Sequence, residues 1–318
     1  MNKYIKLIKK AKKIALFSHA GPDPDTVGST LAMFRTLSQM GKHVDLFCED
    51  NLPENYCFLI DSKNYNTKEF KSDEYDLLVA IDTAGPNMLG VYLEEFLKHN
   101  NTLRIDHHIK GEFNALNNIV KPYSACAILI YEIIKKLRVK IDTETATCLY
   151  FAICGDTGIF RNNNTDSLTF KIASELLNLG AEMRRVYTDF FDKKTVPYLK
   201  LTSNALLNAE LNDELKYAVM TVSKADFENF EASTDETVGN LPNTYLNCGY
   251  KVASILKEKD DGIHCSFRSK FEYDCSIIAS KFGGGGHKNA AGCLIEKSLD
   301  DAKKDVIDAI KQYLTKGE

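Results

Sequence analysis

The chain has 318 residues, of which 44% are apolar and 26% charged; it is long enough for two domains with separate cores and lies outside the range of disordered or fibrous sequences. A formal net charge of -4 excludes the basic excess with which proteins grip long nucleic acid, so a phosphate-bearing substrate must be met by a local site. Nine cysteines, with no C-x-x-C pair, exclude a disulfide framework and a zinc ribbon and read as reduced thiols, with Cys126, Cys148, Cys154 and Cys293 in apolar surroundings.

The opening segment MNKYIKLIKKAKKIALF imitates a basic signal sequence, but its apolar run is short and no small-residue cleavage site follows. It predicts an amphipathic helix leading into a first strand. No stretch is long enough to span a bilayer, so the sequence predicts a cytoplasmic protein with no membrane partner.

Four strand-like runs follow: KIALFSH (13–19), HVDLFCE (43–49), DLLVAID (76–82) and TLRIDHH (102–108). Helical patterns lie between and after them, at Val27 to Gly41, Ala125 to Leu137, Thr143 to Cys154 and Ser167 to Leu179. This alternation predicts an α/β fold with a parallel sheet wrapped by helices over residues 1–185. Residues 186–214, broken by Pro197, read as a helical linker. Residues 215–318 contain strand-like runs at 215–222, 250–258, 263–270 and 291–296 and a closing helix from Leu299 to Leu314. They predict a smaller C-terminal α/β domain, with a cleft between the two.

Chemistry collects at the strand ends, where loops of an open parallel sheet converge. The first strand ends in HAGPDPDTVGS, which carries His19, Asp23 and Asp25. The third ends at Asp82 in AIDTAG, the fourth at Asp106, His107 and His108 in RIDHH, and Asp156 follows a helix in CGDTGIF. Taken alone, PDPD is a common acidic turn and DHH an ordinary helix cap with two surface histidines. Together they bring carboxylates and imidazoles close enough to repel one another unless a cation intervenes. The donor mix suits manganese, iron or zinc. Two such ions about 3.5 to 4 Å apart would generate a nucleophile and clamp a phosphoryl group. His43, His99 and His264 lack such company and read as surface or structural residues.

These four segments resemble the motifs of DHH phosphoesterases, in the family's order. FGGGGHKNAAG (282–292) resembles the signature of the DHH-associated C-terminal domain. Among subgroups the chain is most similar to the nanoRNase and pAp-phosphatase type. The resemblance implies that His19 and Asp23 hold one metal, that Asp25, His107 and Asp156 hold a second, and that Asp82 bridges them, with the proline letting an extended turn aim Asp23 and Asp25 at different ions. The metal is usually manganese. By the same resemblance, His108 faces the scissile phosphate and Asp106 orients a neighbouring group.

In the second domain the resemblance implies that Arg268 and His287, with Gly283, Gly284, Gly285 and Gly286, grip the terminal phosphate of the substrate as the domain closes. Four glycines also suit close approach of an anion to backbone amides, or a plain flexible turn. Gly21 and Thr26 depart from residues common in the family and are expected to bear on how the first loop meets a base or ribose. The expected activity is hydrolysis of phosphate esters in short RNA or small nucleotides such as pAp by a hydroxide held between two metals. The alternatives are a cyclic-di-AMP or pApA phosphodiesterase, a manganese pyrophosphatase, a RecJ-like exonuclease and an inactive nucleotide-binding regulator. A homodimer is a candidate assembly; long duplex nucleic acid is not an expected partner.

Overall fold

The structure, a computed structural model, describes residues 2–109, 113, 115–233, 238–270 and 272–316. It divides into two compact units, Met1–Lys193 and Lys194–Glu318.

Helix α1 (Asn2–Lys10) buries Ile5 and Ile8 and turns its lysines outward. It leads into β1 (Lys13–Phe17), α2 (Pro24–Gln39), β2 (His43–Phe47), β3 (Leu77–Ile81), α3 (Leu93–Lys98), β4 (Thr102–Asp106) and β5 (Asn117–Val120). Four helices complete the unit: α4 (Cys126–Leu137), α5 (Thr143–Asp156), α6 (Ser167–Asn178) and the short α7 (Met183–Val186). The sheet is parallel throughout, in the order β2-β1-β3-β4-β5. Along β1, Ile14 and Leu16 enter a core shared with α2, α4 and α5, while Ala15 and Phe17 join Phe47, Leu78, Ala80 and Phe96 on the other face. Burial on both faces explains why these strands read as continuous apolar runs. The edge strand β5, with only Ile119 buried, carries no such run and has no counterpart among the predicted strands.

Chain direction across the sheet reverses between β1 and β3, so the loops after these neighbouring strands diverge and leave a crevice at their carboxyl ends. Aspartates cap three helices of this unit: Asp23 for α2, Asp142 for α5 and Asp166 for α6.

The second unit begins with α8 (Val196–Leu207), whose Leu201 and Ala205 pack on Met220, Val222 and Ile255. This helix lies within the 186–214 stretch expected to be a linker. Strands β6 (Glu210–Asn212), β7 (Tyr217–Val222), β8 (Val252–Lys259), β9 (Gly262–Ser269), β10 (Gly285–His287) and β11 (Ala290–Ile295) form a mixed sheet in the order β10-β11-β9-β8-β7-β6. Only β7 and β8 run parallel. The last helix, α9 (Leu299–Lys316), lays Ala302, Val306 and Ile310 against Val252, Leu256 and Phe267 on one face of that sheet. Among the described residues, no helix is long and apolar enough to cross a membrane.

Candidate metal centre

The first loop differs in one respect from the extended turn expected for PDPD. Asp23 is the N-cap of α2, accepting the Thr26 N–H at 3.0 Å, and Pro24 starts the helix, where its missing N–H costs nothing. The two aspartates diverge because one caps the helix from outside and the other lies in its first turn. Asp25 points inward and is fully buried. It accepts the Ala127 N–H at 3.0 Å, the Ser29 hydroxyl at 2.9 Å and the Cys126 N–H. It therefore caps α4, whose own preceding residue, Ala125, has no side chain that can do so.

Two glycines let the elements meet. A side chain at Gly28 of α2 would strike the Cys148 carbonyl and Ala152 of α5, and one at Gly155 would strike Pro24. This close crossing brings Asp156, the last residue of α5, beside Asp25. From the neighbouring strand, Asp82 enters with its backbone in the left-handed region (φ +56°), a conformation that aspartate tolerates better than most residues.

The result is a compact set of donors. His19 Nε2 lies 3.6 Å from Asp23 Oδ1 and 4.0 Å from Asp82 Oδ2. His107 Nε2 lies 3.1 Å from Asp156 Oδ2, 3.5 Å from Asp82 Oδ1 and 3.9 Å from Asp25 Oδ2. Both rings turn Nδ1 to a backbone carbonyl at 2.8 Å, Ala20 for His19 and Tyr123 for His107. A carbonyl only accepts, so in the neutral ring Nδ1 carries the hydrogen and Nε2 presents a lone pair to the acids. That is the arrangement of a metal-ligating histidine.

The charges point the same way. Burial raises the Asp82 pKa well above the usual carboxylate range, and Asp25, Asp23, Asp156 and Asp106 add to the effect. Asp25 is raised likewise, by burial and by Asp156. For His107, burial acts to lower the pKa, but the bond to Asp156 and the charges of Asp25 and Asp156 outweigh it and bring it up to about 9. Among the described residues, buried Asp82 Oδ1 has no hydrogen-bond donor aimed at it, and buried His107 Nε2 faces carboxylate oxygens alone, those of Asp156, Asp82 and Asp25. Carboxylate and imidazole donors that turn metal-capable atoms toward one another, and are crowded by like charge, fit a divalent cation. The donors form three groups, each with its atoms within 4.8 Å of one another: His19, Asp23 and Asp82; Asp25, His107 and Asp156; and Asp82, Asp106, His107 and His108.

His108 stands at the open side, its side chain 45% exposed, with Nδ1 2.8 Å from Asp106 Oδ1. Burial would raise the Asp106 pKa, but hydrogen bonds from His108 and the nearby Arg104 charge bring it down to about 2.

The second unit carries a separate polar row. Arg268 on β9 pairs with Ala290 on β11, which pairs with His287 on β10. Residues in register share a sheet face, so both side chains leave the same side across a small alanine. Arg268 Nη2 donates to Asn240 Oδ1 at 3.1 Å. The four glycines are not a loose loop. A side chain at Gly284 would strike Gly292 and Cys293, and one at Gly286 (φ +141°) would come within 2.6 Å of the Ala290 carbonyl, whereas Gly283 and Gly285 face open space. Close pairing of β10 with β11 therefore requires two of the four.

Residues 13–153 match the DHH family, N-terminal domain, and residues 214–316 match the DHHA1 domain. The chain belongs to the DHH family. Among relatives of this DHH-family phosphoesterase, the bifunctional oligoribonuclease and PAP phosphatase NrnA of Thermus thermophilus is 29% identical over 95% of this chain and 90% of its own. The protein of the same name from Bacillus subtilis is 28% identical over 96% of each chain. The crystal structure of an exopolyphosphatase-related protein from Bacteroides fragilis shares the fold with a TM-score of 0.92, at 24% identity, over 99% of this chain and 96% of that one.

Within the DHH domain, one expectation about the first loop is corrected. Thr26 is fully buried, and its hydroxyl donates to the Ile81 carbonyl at 3.1 Å and accepts the His19 N–H at 3.3 Å. It fastens the first motif to the end of β3 and cannot meet a base or ribose. Gly21 is exposed, adopts φ +63° and donates its N–H to Asp50 at 2.7 Å. Sequence reasoning also passed over Arg104, a buried cation in the middle of β4. A charged residue inside an otherwise apolar strand was the signal available.

Proposed function

We propose that this DHH-family enzyme hydrolyses phosphate esters in short oligoribonucleotides and in small nucleotides such as pAp. The observation that carries this reading is that two buried atoms, Asp82 Oδ1 and His107 Nε2, face each other 3.5 Å apart at the centre of an acid and imidazole cluster in a switch-point crevice. The names of the Thermus and Bacillus relatives support the choice of substrate class.

His19 and Asp23 would hold one divalent cation, Asp25, His107 and Asp156 the other, and Asp82 both. Bound there, such a pair, manganese in our reading, supplies the activation of water and the charge neutralisation that phosphoryl transfer requires. The protein's own part is placement. Carbonyls of Ala20 and Tyr123 aim the two Nε2 atoms inward, and amides of α4 fix Asp25. Asp106 accepts a hydrogen bond from His108 Nδ1, which leaves Nε2 to take up a proton and, once protonated, to donate to an oxygen of the phosphate. Arg268 and His287 are our candidates for holding the substrate's terminal phosphate, by charge-assisted hydrogen bonds. Substrates recognised at an end are short, which agrees with a net charge of -4. Nine free thiols suit a reducing compartment such as the cytoplasm.

A hydrolysis panel in manganese tests the reading, with 5'-phosphorylated dinucleotide RNA, a longer RNA, pAp, cyclic-di-AMP and pyrophosphate side by side. The dinucleotide or pAp is expected to be turned over fastest. Preference for cyclic-di-AMP would transfer the enzyme to that alternative, and preference for pyrophosphate or the longer RNA would overturn the proposal.

A further inference from the structure

Arg104 is 3% exposed, yet its guanidinium makes contacts in three directions. Nε donates to the Thr83 carbonyl at 2.8 Å, one residue beyond Asp82. Nη1 donates to the Phe113 carbonyl at 2.7 Å. Nη2 is paired with Asp106 Oδ2 and also donates to the His108 carbonyl at 3.3 Å. One planar fork thus ties the turn after β3 to the segment after β4. Lysine could not replace it, because an ammonium is a single point and the acceptors here are spread around a plane.

The pairing with Asp106 matters most. With Oδ2 held by Arg104, Oδ1 is left to accept the His107 N–H at 2.6 Å, the His108 N–H at 3.0 Å and the His108 ring at Nδ1, 2.8 Å away. The carboxylate cannot rotate without breaking the pair. A buried carboxylate that lost its cation would be an uncompensated charge, free to adopt another orientation. On the proposed function above, His108 Nε2 meets the phosphate, so whatever fixes the ring fixes that atom.

We infer that Arg104 is a positioning residue for the reaction: by clamping Asp106 it holds His108 in the tautomer with hydrogen on Nδ1 and Nε2 free. Through the Thr83 carbonyl it also secures the turn that carries Asp82. Arg104 acts through these neighbours and touches no reacting atom.

Nitrogen NMR of 15N-histidine-labelled protein, with His108 assigned by comparison with His108→Gln, reads the tautomer directly. In the wild type, the neutral His108 ring is expected almost wholly as the Nδ1–H form. In Arg104→Lys, which keeps the charge and loses the fork, that form should give way to a mixture. Alongside it, kcat should fall roughly 10- to 100-fold, as for lost supports around a metal site, with KM changed less than about threefold. A purely structural role would not alter the tautomer of a folded variant. An unchanged tautomer, or kcat within about twofold of the wild type, would overturn the inference. If Arg104→Lys does not fold, the wild-type spectrum still decides, because a dominant Nε2–H form would contradict the clamp. Failure of the substrate reading shows instead as a wild-type enzyme that leaves the panel untouched, whatever the spectrum.

Discussion

His107 Nε2 and Asp82 Oδ1 lie 3.5 Å apart, both buried, with Asp156 Oδ2 3.1 Å from the same nitrogen. In the metal-free protein a proton on His107 compensates part of the surrounding negative charge. With its pKa raised to about 9 from 6.5, the stabilisation this proton brings is fully present below 6.5 and is lost as pH rises through about 9. A cation must displace that proton, so manganese affinity should rise with pH across this window, and binding should release protons. Calorimetry in buffers of different ionisation enthalpy reads the release; affinity independent of pH, with no proton released, would contradict it.

Asp82→Asn should separate stability from activity. The Asp82 pKa is raised, so the folded state binds this proton more readily than the unfolded chain does. The ionised side chain then costs the metal-free protein stability once pH passes the ordinary carboxylate range. Asparagine removes that cost and accepts the left-handed backbone. The metal-free variant should melt higher at neutral pH, by about 2–4 °C for each kcal/mol gained, and the gain should vanish in acid. Its turnover in manganese should fall at least roughly a thousandfold, the scale of losing a major electrostatic contributor. Melting curves of metal-free protein at two pH values, with parallel assays, measure both effects.

Gly155→Ala sets two effects against each other. Alanine in a helix is favoured by about 1 kcal/mol over glycine, but here its methyl group would strike Pro24, and overpacking costs about 1–3 kcal/mol. The clash should win, with a net loss of about 1 kcal/mol and weaker manganese binding as Asp25 and Asp156 are pushed apart. Denaturant unfolding and metal titration measure the two; a stabilised variant would show that the helix crossing relaxes freely.

In the DHHA1 domain, Gly285→Ala should leave stability within about 0.5 kcal/mol, the range for substitutions that disturb no special feature, since its added methyl meets nothing within 4 Å. Gly286→Ala should cost about 1–3 kcal/mol, because φ is +141° and the Ala290 backbone is close. Equal tolerance at both positions would restore the flexible-turn reading of the four glycines.

Arg268→Ala and His287→Ala should each raise KM about tenfold with kcat nearly unchanged. The size follows from losing a charge-assisted hydrogen bond worth about 1.5 kcal/mol or more, and the pattern from binding that is equal in ground and transition states. Steady-state kinetics on pAp and on the dinucleotide test it. A fall in kcat at constant KM would move both residues out of the phosphate-holding role.

Strands β1, β3 and β4 were legible because burial on both faces made them apolar runs. The helices were legible from their apolar period. Short edge strands were not: β5 buries one side chain and β10 reads Gly-Gly-His, so neither shows a pattern. At the site, the acids and histidines were visible as residue types at strand ends. What brings them into groups lies in contacts distant along the chain: Asp25 against the first amides of α4, Gly155 against Pro24, and Thr26 against the end of β3. Asp82's left-handed backbone and the fork of Arg104 also have no local pattern, because tertiary partners over-determine them.

The most direct test of the account is a titration of metal-stripped protein with manganese while hydrolysis of pAp and of a 5'-phosphorylated dinucleotide is followed, with Asp82→Asn in parallel. The account predicts no turnover in chelator, activity that saturates at about two manganese ions per chain as in two-metal phosphoryl transfer, and no recovery in the variant. Full turnover by the metal-stripped protein, or an Asp82→Asn enzyme as active as the wild type, would contradict it.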